Sequence, residues 1–116
     1  MELVFCYMTA KDRGEAERIR DRLISGRLAA CVNIIGDMDS CFWWEGRKSI
    51  GKEVGLIAKT RKSLLPSIVK QVKDIHSYDM PCIVAMPIIG GNKDFLEWVE
   101  RETTAGKRVK RHGKTM

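Results

Sequence analysis

No stretch of this chain is long and apolar enough to serve as a membrane helix, which needs roughly 20 such residues. The apolar residues 3–8 follow Glu2 and have no basic segment ahead of them. They do not read as a signal peptide, and a cytoplasmic protein with no membrane partner is expected. The four cysteines, Cys6, Cys31, Cys41 and Cys82, form no Cys-x-x-Cys pair. That argues against a structural zinc module or a thioredoxin-type redox motif. In a reducing compartment they read as small buried hydrophobes. Histidine is scarce, with His76 and His112 alone, and no nucleophile, base and orienting group assemble along the chain. An enzyme is therefore not expected. Gly90-Gly91 is a turn and no phosphate loop, because no Gly-x-x-x-x-Gly-Lys pattern follows it. The aromatic pattern of an RNA-recognition module is also missing.

Acidic residues are absent from residues 104–116, where Lys107, Arg108, Lys110, Arg111 and Lys114 cluster. Removing these five charges from the net +6 leaves +1 on residues 1–103. One domain is thus expected over residues 1–103, followed by a basic tail that is mobile and solvated. Nucleic acid is not an expected partner of the domain, and the tail offers at most sequence-blind phosphate contacts.

What is present is a regular alternation of short apolar runs and amphipathic stretches. Residues 3–8 read as a buried strand. Asp12 and Glu15 have the spacing of a capping box, and Ala16, Ile19, Leu23 and Ile24 recur at helical spacing behind them. Gly26 is expected to end that helix in a left-handed conformation. Residues 30–35 and 40–44 read as two strands with Gly36-Asp37 turning the chain between them, and residues 53–60 as another after a polar loop at 45–48. Ser63 is placed as the cap of a second helix, with Pro66 in its first turn and Leu65, Ile68, Val72 and Ile75 as its apolar stripe. Residues 81–89 read as an edge strand, with Pro81 and Pro87 near its ends. Asn92 caps a third helix that buries Phe95, Trp98 and Val99.

The order β-α-β-β-β-α-β-α is that of an α+β, ferredoxin-like split βαβ sandwich, an antiparallel sheet with helices on one face. Trp43 and Trp44 then pose a problem, since adjacent strand residues point to opposite faces. One ring can lie under the helices, whereas its neighbour is left on the bare face. Trp43 and Trp44 are therefore expected at an interface between copies of the chain, most economically by self-assembly through that sheet face in a cyclic oligomer.

Leu28-Ala29-Ala30-Cys31-Val32-Asn33, Trp43-Trp44-Glu45-Gly46, Lys59-Thr60-Arg61, His76-Ser77-Tyr78 with Pro81, Gly91-Asn92 and Phe95-Leu96-Glu97-Trp98 resemble, in this order, the motifs of the CutA divalent-cation-tolerance family. The resemblance implies a tight ferredoxin-like homotrimer similar to the PII signalling proteins, and a connection to copper and other divalent ions. It also implies a metal site built from a cysteine at the end of the first strand, a histidine before His-Pro-Tyr and a glutamate after it. Met8, Ile75 and Cys82 stand at those positions here. Met8, His76 and Cys82 are left as the metal candidates, a soft set suited to Cu(I). Core or interface packing is the competing reading for Met8 and Cys82. Trp44, Lys59 and Tyr78, with His76, are candidates to line a cleft between protomers that holds a small ligand. Against this, Lys59 also reads as a strand-end charge and His76 as a helix C-terminal residue.

Overall fold

Residues 2–104 are described by a computed structural model. The basic cluster at 107–114 lies outside the described residues. The elements run β1 (Leu3–Ala10), α1 (Arg13–Ser25), β2 (Cys31–Trp44), β3 (Arg47–Arg61), a 3-10 turn (Lys62–Leu64), α2 (Leu65–Ile75), β4 (Ile83–Pro87) and α3 (Lys93–Glu102). The four strands form one antiparallel sheet in the order β2-β3-β1-β4, the split βαβ arrangement.

Strand parity decides which face is covered. Val4, Cys6, Met8 and Ala10 of β1 lie opposite Thr60, Ala58, Leu56 and Val54 of β3, and all eight are buried. Ala16, Ile19 and Leu23 of α1 and Ile68 and Val72 of α2 pack onto them. Each such aliphatic side chain contributes roughly 1.5–3 kcal/mol on removal from water. The alternate residues Phe5, Tyr7, Ile57, Val84 and Met86 share the opposite face, away from α1 and α2; α3 reaches it only at its Arg61 end, and Val84 and Met86 stay exposed.

Four strands form where five were expected. Residues 31–44 make one continuous strand because Gly36 is a bulge: Ile35 pairs with Gly55 and Asp37 with Val54, leaving Gly36 as the extra residue. It inserts a residue without reversing the chain. The reversal falls at Glu45-Gly46, where φ values of 49° and 77° make a two-residue turn suited to the twist of the hairpin.

Two helix ends also differ from expectation. Gly26 has φ −83°, and Arg27 takes the left-handed conformation at φ 58°. Arg27 N–H bonds Ile24 O at 3.1 Å and Leu28 N–H bonds Leu23 O at 2.9 Å, a Schellman ending displaced by one residue. Glycine at 26 serves close approach instead, since a Cβ there would sit 3.2 Å from Arg22 O. Ser63 falls inside the 3-10 turn, and α2 starts with Leu64 at its cap and no side-chain capping bond. Asp12 and Asn92 cap α1 and α3 as expected, accepting from the backbone of Glu15 and Asp94. Ile24, expected on the buried stripe of α1, is 41% exposed, because Leu23 takes the inward direction.

The tryptophans depart furthest from expectation. Trp43 is 76% exposed and Trp44 45% exposed, so neither ring lies under a helix. β1 pairs with β3 only from Val54 onward, whereas Trp44 pairs with Arg47. The β2–β3 hairpin therefore projects beyond the helix-covered sheet as a two-stranded arm carrying Phe42, Trp43, Trp44 and Ile50, all exposed.

Met8 tests the packing directly. Met8→Ala is expected to lower unfolding free energy by about 2–5 kcal/mol and Met8→Leu by less than about 1.5 kcal/mol, in metal-free buffer, by chemical denaturation. Equal losses would contradict a purely packing role.

Candidate functional site

The α2–β4 connection holds the densest polar network among the sequence-predicted residues. α2 ends because His76 turns extended, at φ −82° and ψ 142°. Its ring is wholly buried and carries two hydrogen bonds: Tyr78 N–H donates to Nδ1 at 3.0 Å, and Nε2–H donates to Thr9 O at 2.7 Å. These partners assign the neutral Nε2–H tautomer and use both ring nitrogens.

Glu15, almost fully buried, sits beside this ring, with Oε1 3.8 Å from His76 Nδ1. Lys11 N–H donates to Oε1 at 2.9 Å, one residue before the position a capping box would use. Ser77 donates from its N–H at 2.7 Å and from Oγ at 3.0 Å. Burial pushes the Glu15 carboxyl upward, but the hydrogen bonds from Lys11 and Ser77 outweigh it and hold the group below its ordinary value. One buried carboxylate thus fastens the start of α1 to the loop after α2.

That loop presents Tyr78 to the bare side of the sheet. Tyr78 stacks against His76 with ring centroids 4.8 Å apart, and its hydroxyl donates to Glu53 Oε2 at 3.0 Å. Burial first, and Glu53 second, push the Tyr78 phenol up to about 12. Burial and Glu53 also raise the Cys82 thiol. Cys6 is raised to about 11, by burial and by Cys82.

The metal candidates do not form a ligand set. Met8 is fully buried on the helix-covered face, and His76 has no free nitrogen lone pair. Among the described residues no three His, Cys, Asp or Glu side chains converge to hold an ion. The cleft candidates are dispersed within one protomer. Trp44 pairs with Arg47 near the arm tip, and Lys59 lies twelve residues further along β3, about 40 Å away at strand rise. Lys59 sits opposite Cys31 and bonds Asn33 Oδ1. Tyr78 and His76 adjoin, and they draw in Glu53 and Glu15, which sequence reasoning missed. Glu15 was legible only as a capping residue, and Glu53 only as one polar position in a strand. A surface cavity of about 570 Å³ between Leu3, Ile88, Gly90 and α3 contains none of the predicted residues.

The architecture is that of a ferredoxin-like α+β domain with one bare sheet face. The CutA1 divalent ion tolerance protein family matches residues 4–102. The chain is 47% identical over 96 residues to the divalent-cation tolerance protein CutA of Archaeoglobus fulgidus, covering 83% of this chain and 93% of that one. It is 42% identical over 100 residues to the chloroplastic CutA 1 of Oryza sativa, covering 86% of this chain and 56% of that one, about half its length. The solved A. fulgidus structure, described as a periplasmic divalent cation tolerance protein, matches at a TM-score of 0.84 and 44% identity, covering 87% and 98% of the two chains. The rice CutA1 structure matches at a TM-score of 0.86 and 41% identity, covering 89% and 94%. This chain belongs to the CutA family. No helix among the described residues is long and apolar enough to cross a membrane.

The lowered Glu15 carboxyl sets the sign of one pH effect. A depressed folded-state value adds stability that is present above the unfolded value, near 4.5, and is lost as pH falls through the folded value. Glu15→Gln is expected to flatten the acid limb of stability below about pH 4.5, read by thermal denaturation against pH. An unchanged limb would remove Glu15 from the network's electrostatics.

Proposed function

We propose that this protein serves divalent-cation tolerance as a non-enzymatic homotrimer of the cytoplasm, and that its working site is a cleft formed between protomers. The observation that carries this reading is the pairing of a bare apolar sheet face with a projecting aromatic arm. A lone protomer would leave Trp43, Trp44, Phe42 and Ile50 of the arm and Val84 and Met86 of β4 exposed to water, and large exposed apolar surface marks an interaction site. Association through this face removes them from water and also pairs the free edges of β2 and β4. Three copies related by a rotation close such edges into a ring. The free state of all four cysteines suits a reducing compartment.

Trp44 pairs with Arg47 at the arm tip, and Tyr78 bonds Glu53 six residues further along β3, about 20 Å away at strand rise, so a cleft using both draws them from different copies. This favours the PII-like reading, in which a small ligand or cation complex binds between subunits beside Tyr78 and Glu53. Copper ligation by Met8, His76 and Cys82 would require Met8 to leave the core and His76 to surrender a hydrogen bond. We therefore assign the cation effect to the assembled cleft and not to that trio.

The test is the pair Ile57→Asp and Met86→Asp, two bare-face substitutions expected to convert a trimer into monomers by size-exclusion light scattering. Untagged wild-type protein is expected to bind Cu(I) under reducing conditions at well below one ion per protomer by calorimetry. A monomeric wild type would overturn the assembly. Tight one-to-one Cu(I) binding, lost in Cys82→Ser, would restore the trio.

A further inference from the structure

The bare sheet face carries a second polar cluster, remote from Tyr78, that the proposed function does not use. Cys31 of β2 lies directly opposite Lys59 of β3 in the sheet register. Side chains so paired share one face and have Cβ atoms about 4.5–5.5 Å apart. Lys59 Nζ lies 3.9 Å from Cys31 Sγ, and Asn33 Oδ1 accepts from both, from Nζ and, at 3.7 Å, from the thiol. Asn33, two residues along β2 from Cys31, therefore holds the amine over the sulfur.

The neighbouring cysteines show what is particular here. Cys41 is more exposed than Cys31, yet its cross-strand partner is Ile50. Cys6 faces Ala58 on one side and Ala85 on the other, and is fully buried. Among the three strand cysteines, only Cys31 has an amine opposite it.

We propose that Cys31 and Lys59 are a redox cross-linking site, joined under oxidising conditions by a bridging oxygen atom into a Cys–S–O–NH–Lys tie between β2 and β3. The oxidant is dioxygen. The lysine ammonium first releases one proton to solvent. The S–H bond and one N–H bond then break, S–O and O–N bonds form, and the two hydrogens leave with the second oxygen atom as water. Dioxygen accepts four electrons, two from sulfur and two from nitrogen. A molecule so small and apolar reaches the pair whether or not another subunit covers this face, so the inference stands apart from the assembly. Strong reductants reverse such oxidised sulfur species short of sulfinic acid.

The experiment uses the full chain, purified under reductant and then held in air-saturated buffer before tryptic digestion and mass spectrometry. The expected product joins residues 28–47 to residues 53–61, with cleavage after Lys59 blocked. It is heavier than the two peptides by one oxygen and lighter by two hydrogens, and dithiothreitol restores both. Cys31→Ser and Lys59→Arg are each expected to abolish it, Asn33→Ala to lower its yield several-fold, and Cys41→Ser to leave it unchanged. Wild-type protein that yields only unlinked peptides overturns the proposal, as does Cys31 found as a disulfide or sulfonic acid with Lys59 unmodified. Because the wild-type digest alone decides the matter, a variant that misfolds does not shield it.

Discussion

The constraint on which everything else depends is a sheet whose two longer helices, α1 and α2, pack on one face only. Strand parity sends Cys6, Met8, Leu56 and Ala58 under α1 and α2 and sends Phe5, Tyr7, Ile57 and Met86 the other way. Both sets are largely apolar. The first builds the core of the protomer, while the second is only half-buried within the chain and leaves Met86 exposed. The arm sharpens the imbalance, because β3 continues seven residues beyond the point where β1 stops pairing with it. Apolar area left in water on this scale is what drives subunit association.

Much of the fold was legible because it follows short-range rules. The period-2 pattern at 3–8 and the 3.6-period stripes behind Asp12 and Asn92 needed no tertiary information. The misreadings had tertiary causes. Gly36-Asp37 has turn chemistry, but β3 remains beside it on both sides, and a bulge keeps the ladder that a turn would end. Gly26 has helix-stop chemistry, but Arg27 takes the left-handed position, where its guanidinium reaches Glu102 of α3 at 2.7 Å. Trp43 and Trp44 do point to opposite faces. Their lack of cover follows from the relative lengths of β1 and β3, which local pattern does not report.

The candidate site was legible in part. His76 and Tyr78 emerged from motif likeness, and they do share a network. Their chemistry depends on Glu15, about sixty residues earlier in the chain, whose carboxylate is buried among backbone donors. A carboxylate in that setting is a structural clasp, and it holds the Tyr78 hydroxyl where Glu53 receives it. The metal trio is occupied for a related reason. Met8 obeys strand parity and goes into the core, and His76 satisfies the end of α2 and the end of β1 at once. Residues that hold the protomer together are poorly free to hold an ion. The proposed cleft between copies draws instead on surfaces the protomer leaves exposed, Trp43, Trp44 and Met86 among them.

Amide hydrogen exchange of the intact wild-type protein addresses that claim most directly. If the bare face and the arm are covered by neighbouring copies, the amides of residues 41–44 and 83–87 will exchange as slowly as those of β1 at the core. If residues 41–44 exchange within seconds while β1 stays protected, the arm stands free in water, and the account of an assembled site is wrong.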